Sequence, residues 1–65
     1  MTAIQRSMLA ALKDGPKLPK TIAERTGQPV PIVTTSLIGL RKKRLVERDP
    51  KGFYALTEEG RDALL

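Results

Sequence analysis

Half of the chain's twelve basic residues, Arg41, Lys42, Lys43, Arg44, Arg48 and Lys51, fall within positions 41–51. Guanidinium and ammonium groups at that density are suited to holding phosphate or other anions. The net charge of +5 and the pI near 10.1 point to the same class of polyanionic partner. Bond-making chemistry has far less to work with. The chain has neither cysteine nor histidine, which excludes disulfides, thiolate nucleophiles, imidazole bases and the common zinc sites. Its carboxylates, Asp14, Glu24, Glu47, Asp49, Glu58, Glu59 and Asp62, lie among lysines and arginines and form no recognisable acid/base pair, so they read as surface charge. The expectation is a binding protein, not an enzyme, with no metal and no cofactor.

A cationic cluster acts only where a fold positions it. Sixty-five residues make one domain, residues 1–65, and a chain this short buries only about 60% of its unfolded surface, so it needs a compact helical core. Thr2-Ala3-Ile4-Gln5 fits a capping box, and Ile4, Met8, Ala11 and Leu12 then follow helical spacing until Gly15-Pro16 ends the helix. A short second helix starts at Pro19, turns Ile22 and Ala23 inward and closes at Gly27. The third is expected over residues 29–44, because Pro29 and Pro31 both lie in a first turn that lacks intrahelical partners for its amides. At about 100° per residue, Val33, Leu37, Leu40 and the stem of Arg44 form its core side, with Pro31, Thr35, Ile38 and Lys42 opposite.

Beyond Arg44 the pattern changes. Asp49-Pro50-Lys51-Gly52 is the signature of a type I turn, and the flanking Leu45-Val46-Glu47-Arg48 and Phe53-Tyr54-Ala55-Leu56 make it a hairpin. Tyr54 is expected in the core and Phe53 over the sheet. Thr57 can cap a last short helix from Glu58 to about Leu64, whose leading glutamates suit the positive end of the helix dipole. The architecture is therefore mainly α with a small β-hairpin (α+β): a three-helix bundle, a two-stranded wing and a short C-terminal helix. No apolar run approaches a membrane span and the start MTAIQRSM lacks a secretory hydrophobic stretch, so a cytoplasmic location is expected.

That order is a winged helix-turn-helix, and the segment TIAERTGQPVPIVTTSLIGLRKKRLVER, followed by YALTEEGRDAL, resembles the core of MarR-type and PadR-type bacterial and archaeal transcriptional regulators. The resemblance covers more than half of the chain. It rests on Ala23-Glu24-Arg25 with Gly27, on Leu45-Val46-Glu47-Arg48, and on Leu56-Thr57-Glu58-Glu59-Gly60. It departs from the family's pattern where Pro29-Val30-Pro31-Ile32 replaces the usual Ser-Lys-Ser-Thr, where Thr35 replaces a basic residue, and where Arg44 replaces a glycine.

The resemblance implies a regulator of transcription that binds double-stranded DNA, with the third helix in the major groove. Gln28, Val30, Pro31, Thr34, Thr35 and Ile38 would face the bases. Threonine hydroxyls bond several base edges, glutamine pairs with adenine, and Val30 or Ile38 can touch thymine methyls. No arginine is placed for guanine, so A·T-rich sites are favoured. Arg41, Lys42, Lys43, Arg48 and Lys51 would hold phosphates within the basic segment 41–51, flanked by Lys20 and Arg25 from the second helix. Two aromatics are too few for a single-strand stacking platform. The rival from another class is a winged-helix adaptor that docks a protein on the apolar face of the third helix. Met1, Ile4, Met8, Leu64 and Leu65 offer a possible homodimer contact.

Overall fold

Local chemistry sets the ends of the elements. In the computed structural model, which describes residues 1–65, the order is α1 (Ala3–Ala11), α2 (Pro19–Thr26), α3 (Val30–Lys42), β1 (Val46–Arg48), β2 (Tyr54–Leu56) and α4 (Glu58–Asp62). Thr2 and Gln5 form the capping box: the Thr2 hydroxyl accepts the Gln5 amide at 3.1 Å and the Gln5 side chain accepts the Thr2 amide at 3.3 Å. Gly27 closes α2 in the left-handed region, at φ 71°. At the hairpin, the Asp49 carboxylate accepts the amides of Lys51 and Phe53, both at 2.9 Å, and Gly52 takes a positive φ of 94°. The expected turn is there, with Lys51 exposed at its tip.

The third helix is shorter than residues 29–44. Pro29 is its N-cap, at φ −60° and ψ 145°, and the helix ends at Lys42. Arg44 lies outside it, in the left-handed region at φ 62°, so its stem does not join the core side; the residue is exposed. The cause is the turn into β1. The Leu45 amide donates to the Leu40 carbonyl and the Arg44 amide to the Arg41 carbonyl, both at 3.0 Å, which is the Schellman arrangement that places a left-handed residue after the cap. An L side chain costs about 1–2 kcal/mol there. Arg44→Gly is therefore expected to raise unfolding stability by about 1 kcal/mol. A urea midpoint no higher than that of the parent chain would show that the turn carries no such strain.

Met8, Leu9, Leu12, Ile22, Val33, Leu37 and Leu40 fill the space between α1, α2 and α3, and Val46, Tyr54 and Leu56 extend this core under the sheet. Leu9, absent from the expected stripe, is fully buried because α1 packs against both α2 and α3 and so buries a wider face than one stripe. Met8 is equally buried, which removes it from any dimer contact. β1 and β2 pair antiparallel with Val46 opposite Leu56 and Arg48 opposite Tyr54. A third partner was not expected: Lys17 and Tyr54 exchange backbone hydrogen bonds of 2.9 and 2.8 Å, tying the α1–α2 connection to the far side of β2.

The last helix stops at Asp62, just short of the expected Leu64, after Thr57 caps it by accepting the Gly60 amide at 3.0 Å. Thr57 also fastens the helix to the α3–β1 turn, donating its hydroxyl to the Arg44 carbonyl at 2.7 Å and its amide to the Leu45 carbonyl at 3.2 Å. The fold is a winged helix-turn-helix: a three-helix bundle with a two-stranded wing and a short C-terminal helix.

Candidate nucleic-acid interface

The core sets the rotation of α3. With Val33, Leu37 and Leu40 buried, about 100° per residue turns Pro31, Thr35, Ile38 and Lys42 directly outward, and all four are exposed. Ile38 keeps 48% of its surface in water and Val30, at the helix start, 45%. Gln28 and Thr34 are half-buried at the margins. The six expected base-facing residues thus lie along one helix and the turn before it, four exposed and two half-buried at the edge. Thr35 has one further feature: its hydroxyl donates to the Pro31 carbonyl at 2.9 Å.

The expected phosphate contacts divide by how free their charges are. Arg41, Lys42, Lys43, Arg48 and Lys51 are exposed, and none lies in an ion pair. Lys20, at the start of α2, is also exposed and unpaired. Arg25 differs, since its guanidinium donates to Asp14 at 3.1 Å. Arg61, which the sequence did not assign to the site, and Arg44, counted in the basic segment but not among the named phosphate contacts, stand beside the others. Arg44 and Arg61 line an open cleft with Arg41 and Arg48 where α3, β1 and α4 meet. Glu47, Glu58 and Glu59 share that cleft and temper its potential. Arg44 was legible as part of the basic run 41–51, while Arg61 sits on a five-residue helix too short for a phase to be read.

Asp14 is the structural counterpart of this cationic surface. Its carboxylate accepts from Lys17 Nζ at 2.6 Å and from Arg25 at 3.1 Å, and these two bonds hold its pKa below the ordinary aspartate range, the Lys17 bond most. A depressed folded pKa contributes stability above the unfolded value of about 3.9 and loses it as pH falls through the lower folded value. Asp14→Asn is accordingly expected to lower the melting temperature at neutral pH, with the gap to the parent chain closing below about pH 3.9. A carboxyl NMR titration is expected to place the Asp14 midpoint below that of a free aspartate. A midpoint at the ordinary value would rule out the Lys17 and Arg25 bonds in solution.

No group of His, Cys, Asp or Glu side chains is placed to hold a metal ion, and no helix is long and apolar enough to cross a membrane.

No protein-family model matches the chain, and no curated protein does. Solved structures do. A MarR-like transcriptional regulator from Thermotoga maritima is 31% identical over 97% of this chain and 50% of its own, with a TM-score of 0.75. BpsR of Bordetella bronchiseptica, whose DNA binding is regulated by 6-hydroxynicotinic acid, is 27% identical over 98% of this chain and 51% of its own, with a TM-score of 0.87. The unit also occurs inside a larger protein: CalO1, a methyltransferase of calicheamicin biosynthesis, matches 89% of this chain at 29% identity and a TM-score of 0.76, but only 17% of its own length. The chain spans about half the length of each of these two regulators.

Proposed function

From a chain built as the winged helix-turn-helix core of the MarR-type regulators, we propose a protein that binds double-stranded DNA and regulates transcription by occupying it. The outward face of α3 enters the major groove, and Arg41, Lys42, Lys43, Arg48 and Lys51 hold the phosphates on either side. The observation that carries this reading is the state of those five charges. They are exposed and unpaired at the basic end of α3 and along the wing, on a fold shared with BpsR, whose DNA binding is regulated.

The division of labour follows from the chemistry of the two surfaces. The apolar and hydroxyl-bearing start of α3 has no long-range attraction for DNA, so the cations supply most of the affinity and the helix face supplies register and selectivity. Arg25, engaged by Asp14, contributes less than Lys20 does from the same helix. The domain acts as one unit, because the wing and the C-terminal helix are fastened to the bundle through Lys17, Leu45 and Thr57.

Titrating duplex DNA into the labelled chain while recording amide NMR shifts tests the placement. Shifts are expected along residues 28–42 and at Lys51, with α1 quiet. Shifts confined to α1 and α4, or none at low salt, would rule it out.

A further inference from the structure

We propose that the outward stripe of α3 recognises the 5-methyl group of pyrimidines, and so accepts 5-methylcytosine as it accepts thymine; this inference rests on the DNA-binding reading above. The stripe is Pro31, Thr35, Ile38 and Lys42. From Pro31 to Ile38 it rises about 10 Å, roughly three base-pair steps. Its first three residues present hydrocarbon, and none of those three carries a guanidinium, ammonium or amide for guanine or adenine; Lys42 alone of the four brings a cationic donor that guanine could accept. Ile38 and Val30 are left 48% and 45% exposed by the fold itself. In a major groove the hydrocarbon available to cover them is the pyrimidine 5-methyl group.

Charge selects a duplex over a protein as the occupant. Lys42 stands on the same stripe as Ile38, with Arg41 and Lys43 beside it, all exposed and unpaired. An apolar strip that runs into free cations complements a groove with methyl groups on its floor and phosphates on its rim.

Thr35 narrows the choice of base. Its hydroxyl hydrogen is committed to the Pro31 carbonyl at 2.9 Å, so towards a ligand it offers an acceptor lone pair and a methyl group. Major-groove donors are the adenine N6 and cytosine N4 amino groups. An A·T pair places an amino group and a methyl group on its two bases, and 5-methylcytosine carries both on one. Unmodified cytosine and an adenine–uracil pair offer the amino group alone.

The test uses the full chain and four 20-base-pair duplexes read by fluorescence anisotropy: alternating A/T, the same with uracil for thymine, alternating G/C, and the same with 5-methylcytosine. Each methyl group buried against Ile38 is expected to tighten binding about fourfold, the equivalent of roughly 0.8 kcal/mol. Thymine is then favoured over uracil, and 5-methylcytosine over cytosine, by at least that factor. Ile38→Ala, at an exposed position the fold tolerates, reduces both preferences by about that factor and leaves the salt dependence unchanged. Equal affinities within both pairs, with binding intact, overturn the inference and leave DNA binding standing. A thymine preference without a 5-methylcytosine preference, or preferences undiminished in Ile38→Ala, overturn it too, since groove shape then explains them. No binding to any duplex at low salt removes the DNA reading as well.

Discussion

Gly60→Ala is expected to destabilise the domain by about 3 kcal/mol, against the helix preference that normally favours alanine over glycine by roughly 1 kcal/mol. A Cβ at this buried position would overlap the Leu45 carbonyl oxygen and stand 3.2 Å from a Leu56 methyl. The near atom is backbone, held in place because that carbonyl accepts the Thr57 amide, so no rotamer change relieves the clash. Either α4 lifts away from the α3–β1 turn or the turn moves with it, and both routes break the Thr57 bonds to Arg44 and Leu45. A domain of this length has a total stability of roughly 3–10 kcal/mol. The loss therefore takes a large share of it and lowers the melting temperature by roughly 12–24 °C. A calorimetric shift of less than about 4 °C would mean that α4 does not sit against Leu45.

Salt dependence is the second large effect. Five phosphate contacts, from Arg41, Lys42, Lys43, Arg48 and Lys51, give a slope of about −4.5 in log affinity against log salt, so affinity falls roughly 500-fold between 50 and 200 mM. Lys42→Ala combined with Lys51→Ala leaves three contacts, a slope of about −2.7 and a fall of only about 40-fold. Both side chains are exposed and unpaired, so the double variant stays within about 0.5 kcal/mol of the parent in stability, and its loss of affinity is not a loss of fold. Arg25→Ala changes the slope little, because Asp14 already engages that charge. An unchanged slope in the double variant, or a large change with Arg25→Ala, would move the phosphate track from the wing to the second helix.

What could be read from the sequence was what short stretches decide. The Thr2–Gln5 box and the Asp49–Gly52 turn depend on side chains that bond neighbouring backbone, and the left-handed Gly27 on the conformational freedom of a single residue; each forms in the structure. The outward stripe of α3 was legible for a related reason: three buried residues at helical spacing set the phase of all the others. Features that join distant segments were not legible. Nothing near Lys17 announces a pairing with Tyr54, and nothing near Arg25 announces Asp14, whose side chain reaches it across the α1–α2 connection. The end of α3 was missed because its left-handed residue is an arginine, which carries no glycine signal. Leu9 was missed because a helix packed on two partners buries more than a single stripe. Of the site, the hydroxyl bond that turns Thr35 into an acceptor lies within one helical turn, yet it depends on a rotamer that residue types alone do not specify.

The Lys17–Tyr54 bridge also bears on self-association. With Lys17 on one flank of β2 and β1 on the other, the middle strand offers no free backbone to a second molecule at Tyr54. The open edge passes to β1, only three residues long, where two of the three are the charged and exposed Glu47 and Arg48. Short length and outward charge are how sheets discourage edge-to-edge growth. The wing can therefore project into solvent without templating a fibril.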